Sequence, residues 1–207
     1  MLMDLHFHTM RFSGDSRMPL EAGLRRARDM GLDGVCLTEH DVIAAYEDLD
    51  TTAARYGLIV LVGVEILTSD GDILCFGSSS VPVTTISAVE LTGLVASAGG
   101  ATVAAHPYRD NNRGVGDLLF DLPDLTAVEG YNGNTTLPEN RRAVRAAREL
   151  GLPVTGASDS HSVERIGVYA TRFADTIRTM EDLVEALRGG DYGPVRYSPG
   201  DRAFIDI

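Results

Sequence analysis

The sequence predicts an α/β fold in which a largely parallel sheet closes into a barrel, and three observations carry that expectation. Short apolar runs rich in β-branched residues alternate with segments of helical period. About seven or eight such units follow one another, which favours a closed barrel over an open sheet. Every histidine falls at or just past the carboxyl end of a predicted strand, the end where βα loops of such barrels converge.

The predicted strands are residues 4–8, 34–38, 58–65, 73–77, 101–106, 127–131, 153–157 and 167–173. Between the first two, residues 19–30 read as a helix, with Pro19 at its start, Leu20, Leu24 and Ala27 on one face, and Gly31 as its stop. Residues 137–150 form another, opened by Pro138 and Glu139 and ended by Gly151. Thr179 and Asp182 have the spacing of a capping box ahead of Leu183 and Leu187. Residues 191–207 are read as an edge strand or a dimer contact. The breaks TSDGD and GNTTLPEN have the length of ordinary turns, and no repeat or interdomain linker is present, so residues 1–207 are expected to form a single catalytic domain.

Composition narrows the function classes. The net charge of −12 repels polyanions, and stable nucleic-acid binding is not expected. No apolar run approaches the roughly 20 residues of a membrane span, and the amino end lacks the pattern of a signal peptide, so the expected location is cytoplasmic. Cys36 and Cys75 are isolated in apolar segments and read as buried, reduced thiols. All 18 basic residues are arginine, which excludes a Schiff-base lysine, a P-loop lysine and a carboxylated-lysine metal bridge together.

His6-Phe7-His8 puts two imidazoles on one face of a strand, where they can bite one metal. Asp159-Ser160-His161 repeats the spacing with a carboxylate. His40, Glu65 and His106 stand at the same end of other strands, Asp15 lies in the first loop, and coincidence is a poor account of the whole set. Nitrogen and carboxylate donors without thiolate suit zinc, manganese or iron, and more than four ligands implies more than one ion. Arg109, three residues past His106, and Arg165, four past His161, lie in loops on that face and are the candidate phosphate clamp, because a guanidinium fork matches phosphate. Tyr131 and Asn132 at a strand end either contact substrate or pack.

In order and spacing, HFHT at 6–9, SGDS at 13–16, TEHD at 38–41, GVE at 63–65, AHP at 105–107, EGYNG at 129–133 and SDSH at 158–161 resemble the PHP domain, named for DNA polymerases and histidinol phosphatases. The resemblance implies a distorted, TIM-like (β/α)7 barrel with a trinuclear metal centre at the carboxyl ends of its strands, used mostly to hydrolyse phosphate esters. It implies that His6, His8, Glu65 and Asp159 hold one metal, that Asp15, His40 and His161 hold another, and that His106 binds the one Glu65 shares. The family usually supplies one more histidine before the HP motif, and this chain has none between His40 and His106. Asp72 either replaces that imidazole or is a surface-turn carboxylate, so two or three divalent ions are expected.

The activity so expected is hydrolysis of a small phosphate ester, such as a nucleotide or histidinol phosphate, by a metal-bound hydroxide. Asp15 and Glu65 serve as the catalytic carboxylates, Asp15 or a metal-bound water protonating the leaving group. The alternatives are an amidohydrolase-type metal hydrolase, disfavoured by the missing lysine, and a non-catalytic metal-stabilised module.

Overall fold

A computed structural model describes residues 1–207. In chain order the elements are β1 (Leu2–Phe7), α1 (Leu20–Asp29), β2 (Gly34–Leu37), α2 (Leu49–Tyr56), β3 (Ile59–Val62), β4 (Val64–Leu67), β5 (Asp72–Phe76), α3 (Ala88–Ser97), β6 (Ala101–Ala104), β7 (Ala127–Asn132), α4 (Leu137–Leu150), β8 (Val154–Ala157), β9 (Tyr169–Phe173), α5 (Met180–Gly189), β10 (Tyr192–Ser198) and β11 (Ala203–Asp206). The capping box anticipated at Thr179 and Asp182 forms on α5, and a second, not anticipated from the sequence, joins Thr136 to Glu139 on α4.

The mixed α/β class is present, but the closed, largely parallel barrel is not. The strands divide into a six-stranded sheet, β11-β10-β9-β1-β2-β3, and a five-stranded sheet, β4-β5-β6-β7-β8. Only β1-β2, β2-β3, β6-β7 and β7-β8 pair in parallel; the other pairs are antiparallel. The cause is local. Between β4 and β5 the chain has only Thr68-Ser69-Asp70-Gly71, too short for a helical crossover, so the two strands form a hairpin. The strand expected at 58–65 breaks at Gly63, where the chain leaves one sheet for the other. A Cβ at Gly63 would lie 2.9 Å from the Cys75 carbonyl oxygen. The tail resolves as an edge hairpin, with β10 on β9 and β11 on β10.

Isolated bridges, Phe7 to Ser160 and His40 to Glu65, link the two sheets near the carboxyl ends of the parallel strands. Side chains complete the seam at β8. The Thr171 hydroxyl donates to the Gly156 carbonyl at 2.8 Å and accepts from its N–H at 3.1 Å. The buried Asp4 carboxylate accepts from the backbone N–H of Ser158 at 2.9 Å and from its hydroxyl.

Three apolar clusters form the core. One lies between the sheets, built from residues such as Met3, Leu5, Leu74, Phe76 and Val103 and stopped by Leu183 and Leu187 of α5. The other two pack α3 and α4, or α1 and α2, against the outer sheet faces. A register irregularity between Asp4 and Phe7 re-aims β1. Met3 and Leu5 pack in the inner cluster while Phe7 joins the outer one, which leaves His6 and His8 on the inner side above the apolar floor. Cys36 and Cys75 are buried and unpaired. No helix is long and apolar enough to cross a membrane.

Candidate metal centre

All eight residues expected to ligate metal converge at one end of the sheets. Glu65 sits in the middle. Its Oε1 lies 3.3 Å from His6 Nε2 and 3.0 Å from His106 Nε2, and its Oε2 lies 3.4 Å from His8 Nε2 and 2.8 Å from His40 Nδ1. Asp159 Oδ1 stands 3.5 Å from His6 Nε2 and 3.4 Å from His8 Nε2. At the outer rim, Asp15 Oδ2 lies 3.2 Å from His40 Nε2 and 3.3 Å from His161 Nε2. His6, His8, Glu65, His106 and Asp159 are buried, whereas Asp15 is exposed.

Neighbouring groups fix which imidazole nitrogens face inward. His6 Nδ1 is 2.9 Å from Glu129 Oε1; an ionised carboxylate only accepts, so Nδ1 keeps its hydrogen and Nε2 is the nitrogen that gives up its proton and offers a lone pair when a metal ion takes its place. Ser13 donates its hydroxyl hydrogen to Glu39 at 2.6 Å and therefore accepts from His8 Nδ1 at 3.2 Å, which leaves His8 Nε2 free in the same way. His161 Nδ1 donates to the Asp159 carbonyl at 3.2 Å. His6 Nε2 and His8 Nε2 are buried with no hydrogen-bond partner, an arrangement costing about 1–3 kcal/mol for each such atom unless something occupies the space they face.

The electrostatics point the same way. Burial alone would lower the pKa of His6, yet Asp159, Glu129 and Glu65 hold it well above the usual imidazole value. Burial opposes ionisation of Glu65 and Asp159 as well, but the surrounding imidazoles, with Arg109 beside Asp159, keep both carboxyls well below the carboxylate range. Burial takes His8 down to about 4. The raised His6 and the depressed carboxyls have one cause, an excess of buried carboxylates around the imidazoles; a proton on His6 meets it in the metal-free protein, and divalent cations can meet it in that proton's place. Four sets of donor atoms each lie within 4.8 Å of one another: His8, His40 and His161; His6, His106 and Asp159; His6, His8 and Glu65; Glu65, Asp72 and His106. The residues fit divalent metal.

Two of them are held in a backbone conformation that side chains rarely adopt, His106 at φ 30° and Asp159 at φ 49°. Such strain costs on the order of 1–3 kcal/mol and persists where the surroundings over-determine it. Asp72 is not a surface-turn carboxylate: it is fully buried beneath the Arg113 guanidinium. Burial first, then the charge of Glu65, raises it to about 6, with His106 and Arg113 opposing.

The two candidate clamp arginines have different surroundings. Arg109 lines a cavity of about 200 Å³ over the cluster, donating to Asp159, to Asn132 Oδ1 at 2.8 Å and to Thr135 Oγ1 at 3.1 Å. Arg165 donates to the Gly133 carbonyl and does not line that cavity. Tyr131 packs against Tyr169, with ring centroids 5.4 Å apart, and Asn132 hydrogen-bonds Glu129 and Asp159. Sequence reasoning missed Glu129, Glu39 and Arg113. Glu129 and Glu39 lie inside the EGYNG and TEHD motifs, which were the available signal; Arg113 had none.

Comparison with known proteins agrees with this geometry. Residues 4–109, about half of the chain, match the PHP domain family, and residues 138–192 match the PHP-associated family. The chain belongs to the PHP domain family. An uncharacterized protein of Methanocaldococcus jannaschii is 32% identical over 143 residues, covering 64% of this chain and 82% of that one. Two solved structures share the fold. One, from Bifidobacterium adolescentis and provisionally described as a metal-dependent phosphoesterase, has a TM-score of 0.66 at 20% identity, over 91% of this chain and 96% of that one. The other, an amidohydrolase from Chromobacterium violaceum with bound sulfate and no metal, has a TM-score of 0.65 at 19% identity, over 96% and 99%. As a PHP protein with these donor clusters, the chain is a metal-dependent hydrolase.

Proposed function

We propose that this PHP protein hydrolyses a small phosphate monoester, with His6, His8, Asp15, His40, Glu65, His106, Asp159 and His161 holding its divalent ions. The observation that carries the reading is the pair of buried, unpartnered His6 and His8 Nε2 atoms facing Glu65 and Asp159 beneath an arginine-flanked cavity. Divalent ions bound there lower the pKa of a coordinated water and polarise phosphoryl oxygens. The protein's residues do the rest. Glu129, Ser13 and the Asp159 carbonyl orient three imidazoles through their Nδ1 atoms. Arg109, in the cavity wall, meets an anionic group entering it. The rim imidazoles His40 and His161 hold Asp15 below its usual pKa against the effect of burial, so Asp15 is present as a carboxylate. In that state it binds cations or accepts a proton.

The size and lining of the cavity favour a small ester. About 200 Å³ with no hydrophobic residue in its wall suits a phosphate group and leaves no stacking platform for bases.

The test is elemental analysis of chelator-free protein, followed by assays of phosphate esters beside cyclic amides. Two or more ions per chain with phosphatase turnover is the expected result, and Asp159→Ala loses both. Hydrolysis of amides alone, or full activity in Asp159→Ala, overturns the assignment.

A further inference from the structure

Beside the cluster stands a cation that belongs to the chain itself. Arg113 clamps Asp72 with its fork, Nε to Oδ2 at 2.6 Å and Nη2 to Oδ1 at 3.0 Å, and the same Nη2 reaches His40 Nδ1 at 3.4 Å. Asp72 Oδ2 also lies 3.7 Å from His106 Nε2, which is itself 3.0 Å from Glu65 Oε1. The guanidinium thus holds both oxygens of the carboxylate that completes the Glu65, Asp72 and His106 set.

The backbone holds it there. The Asp72 N–H donates to the Arg113 carbonyl at 2.7 Å, so main chain and side chain of Arg113 grip the same residue. Two glycines permit the approach: a Cβ at Gly71 would lie 2.6 Å from the Val115 nitrogen, and one at Gly114 would lie 2.5 Å from the Pro107 carbonyl oxygen. An arginine that merely lay across the cavity mouth would need neither contact.

We infer that Arg113 takes the place of a third metal ion: its guanidinium, clamped on Asp72, fills the position that Glu65, Asp72 and His106 would otherwise give to a cation, and the centre binds two ions. An ion entering that position has to break a bidentate pair on a buried carboxylate and leave a permanently charged guanidinium beside it, so Coulomb repulsion and lost hydrogen bonds act together against it. The fixed positive charge then faces the same cavity as Arg109 and is available to an incoming phosphoryl group whatever the metal supply.

This inference rests on the metal-dependent reading of the site, and the experiment separates the two. Metal-to-protein ratios are measured by elemental analysis and native mass spectrometry at saturating zinc or manganese for the wild-type chain, Arg113→Met and Asp72→His. Folding of each variant is checked by circular dichroism. Arg113→Met frees the Asp72 carboxylate; Asp72→His removes the anchor of Arg113 and installs a neutral donor. Two ions in the wild type and three in whichever variant folds is the expected result. Three ions in the wild type, or two in every folded variant, overturns the inference. A wild-type ratio below two under these conditions refutes the metal centre itself.

Discussion

Replacing Glu129 with glutamine tests whether a carboxylate that would touch no metal sets metal affinity. Glu129 accepts three hydrogen bonds with two oxygens: His6 Nδ1 at 2.9 Å on Oε1, and the His106 N–H at 2.8 Å and Asn132 Nδ2 at 2.9 Å on Oε2. Burial opposes its charge, but His6 and His106 keep its pKa below the usual value. Glutamine has one acceptor oxygen. If that oxygen faces His6, the amide NH2 meets two donors and leaves buried groups unpaired, at about 1–3 kcal/mol each. If it faces His106 and Asn132, the NH2 points at His6 Nδ1, which must become an acceptor. The second arrangement costs less, and it moves the His6 hydrogen to Nε2, the atom that would bind metal. Loss of an orienting partner of this kind typically weakens metal binding 10- to 100-fold, or about 1.4–2.7 kcal/mol. Competition against a chelator, followed by calorimetry, measures the affinity, and long-range ¹⁵N–¹H spectra report the His6 tautomer. Unchanged affinity in a folded Glu129→Gln protein, or a His6 that keeps its hydrogen on Nδ1, would refute the reasoning.

Two further predictions concern stability. In the metal-free protein, burial pushes the Asp4 carboxyl up to about 7 from 3.8, against its hydrogen bonds from Ser158. Between those values the folded chain holds one more proton than the unfolded chain, so stability falls as pH rises, by about 4 kcal/mol across the window. Asp4→Asn flattens that slope in urea melts at pH 4 to 8; an equally steep slope in the variant argues against Asp4 as the source. Gly71 has φ 141° and no room for a Cβ, so Gly71→Ala is expected to cost at least about 1–3 kcal/mol, which lowers Tm by roughly 2–4 °C per kcal/mol. An unchanged Tm contradicts the close approach of the Gly71 turn to Val115.

The candidate centre was largely legible because its signals are local. A strand's period of two puts His6 and His8 on one face, and the position of a residue at a strand end does not depend on how the strands are ordered. Strand order did not follow from the same pattern. Counting βα units predicts a parallel barrel, but the segment between β4 and β5 is a four-residue turn, and that turn converts a crossover into a hairpin. The antiparallel β5 then carries Asp72 at its start, buried next to His106. Its amide bonds the carbonyl of Arg113, in a loop 41 residues away in sequence. No periodicity in either segment announces that meeting.

The arginines show the same limit from the other side. Arg109 and Arg165 were singled out by their distance along the chain from a histidine, and only Arg109 faces the cavity. Where an arginine fork ends up depends on which acceptors its loop meets. Arg165 meets a backbone carbonyl at Gly133, while Arg113 meets a carboxylate beneath the rim. Nearness in sequence to a strand end places a backbone. The long side chain on that backbone goes to whichever acceptor the tertiary structure leaves unpaired, so the donor set of a strand-end site can be read from sequence more securely than the charges around it.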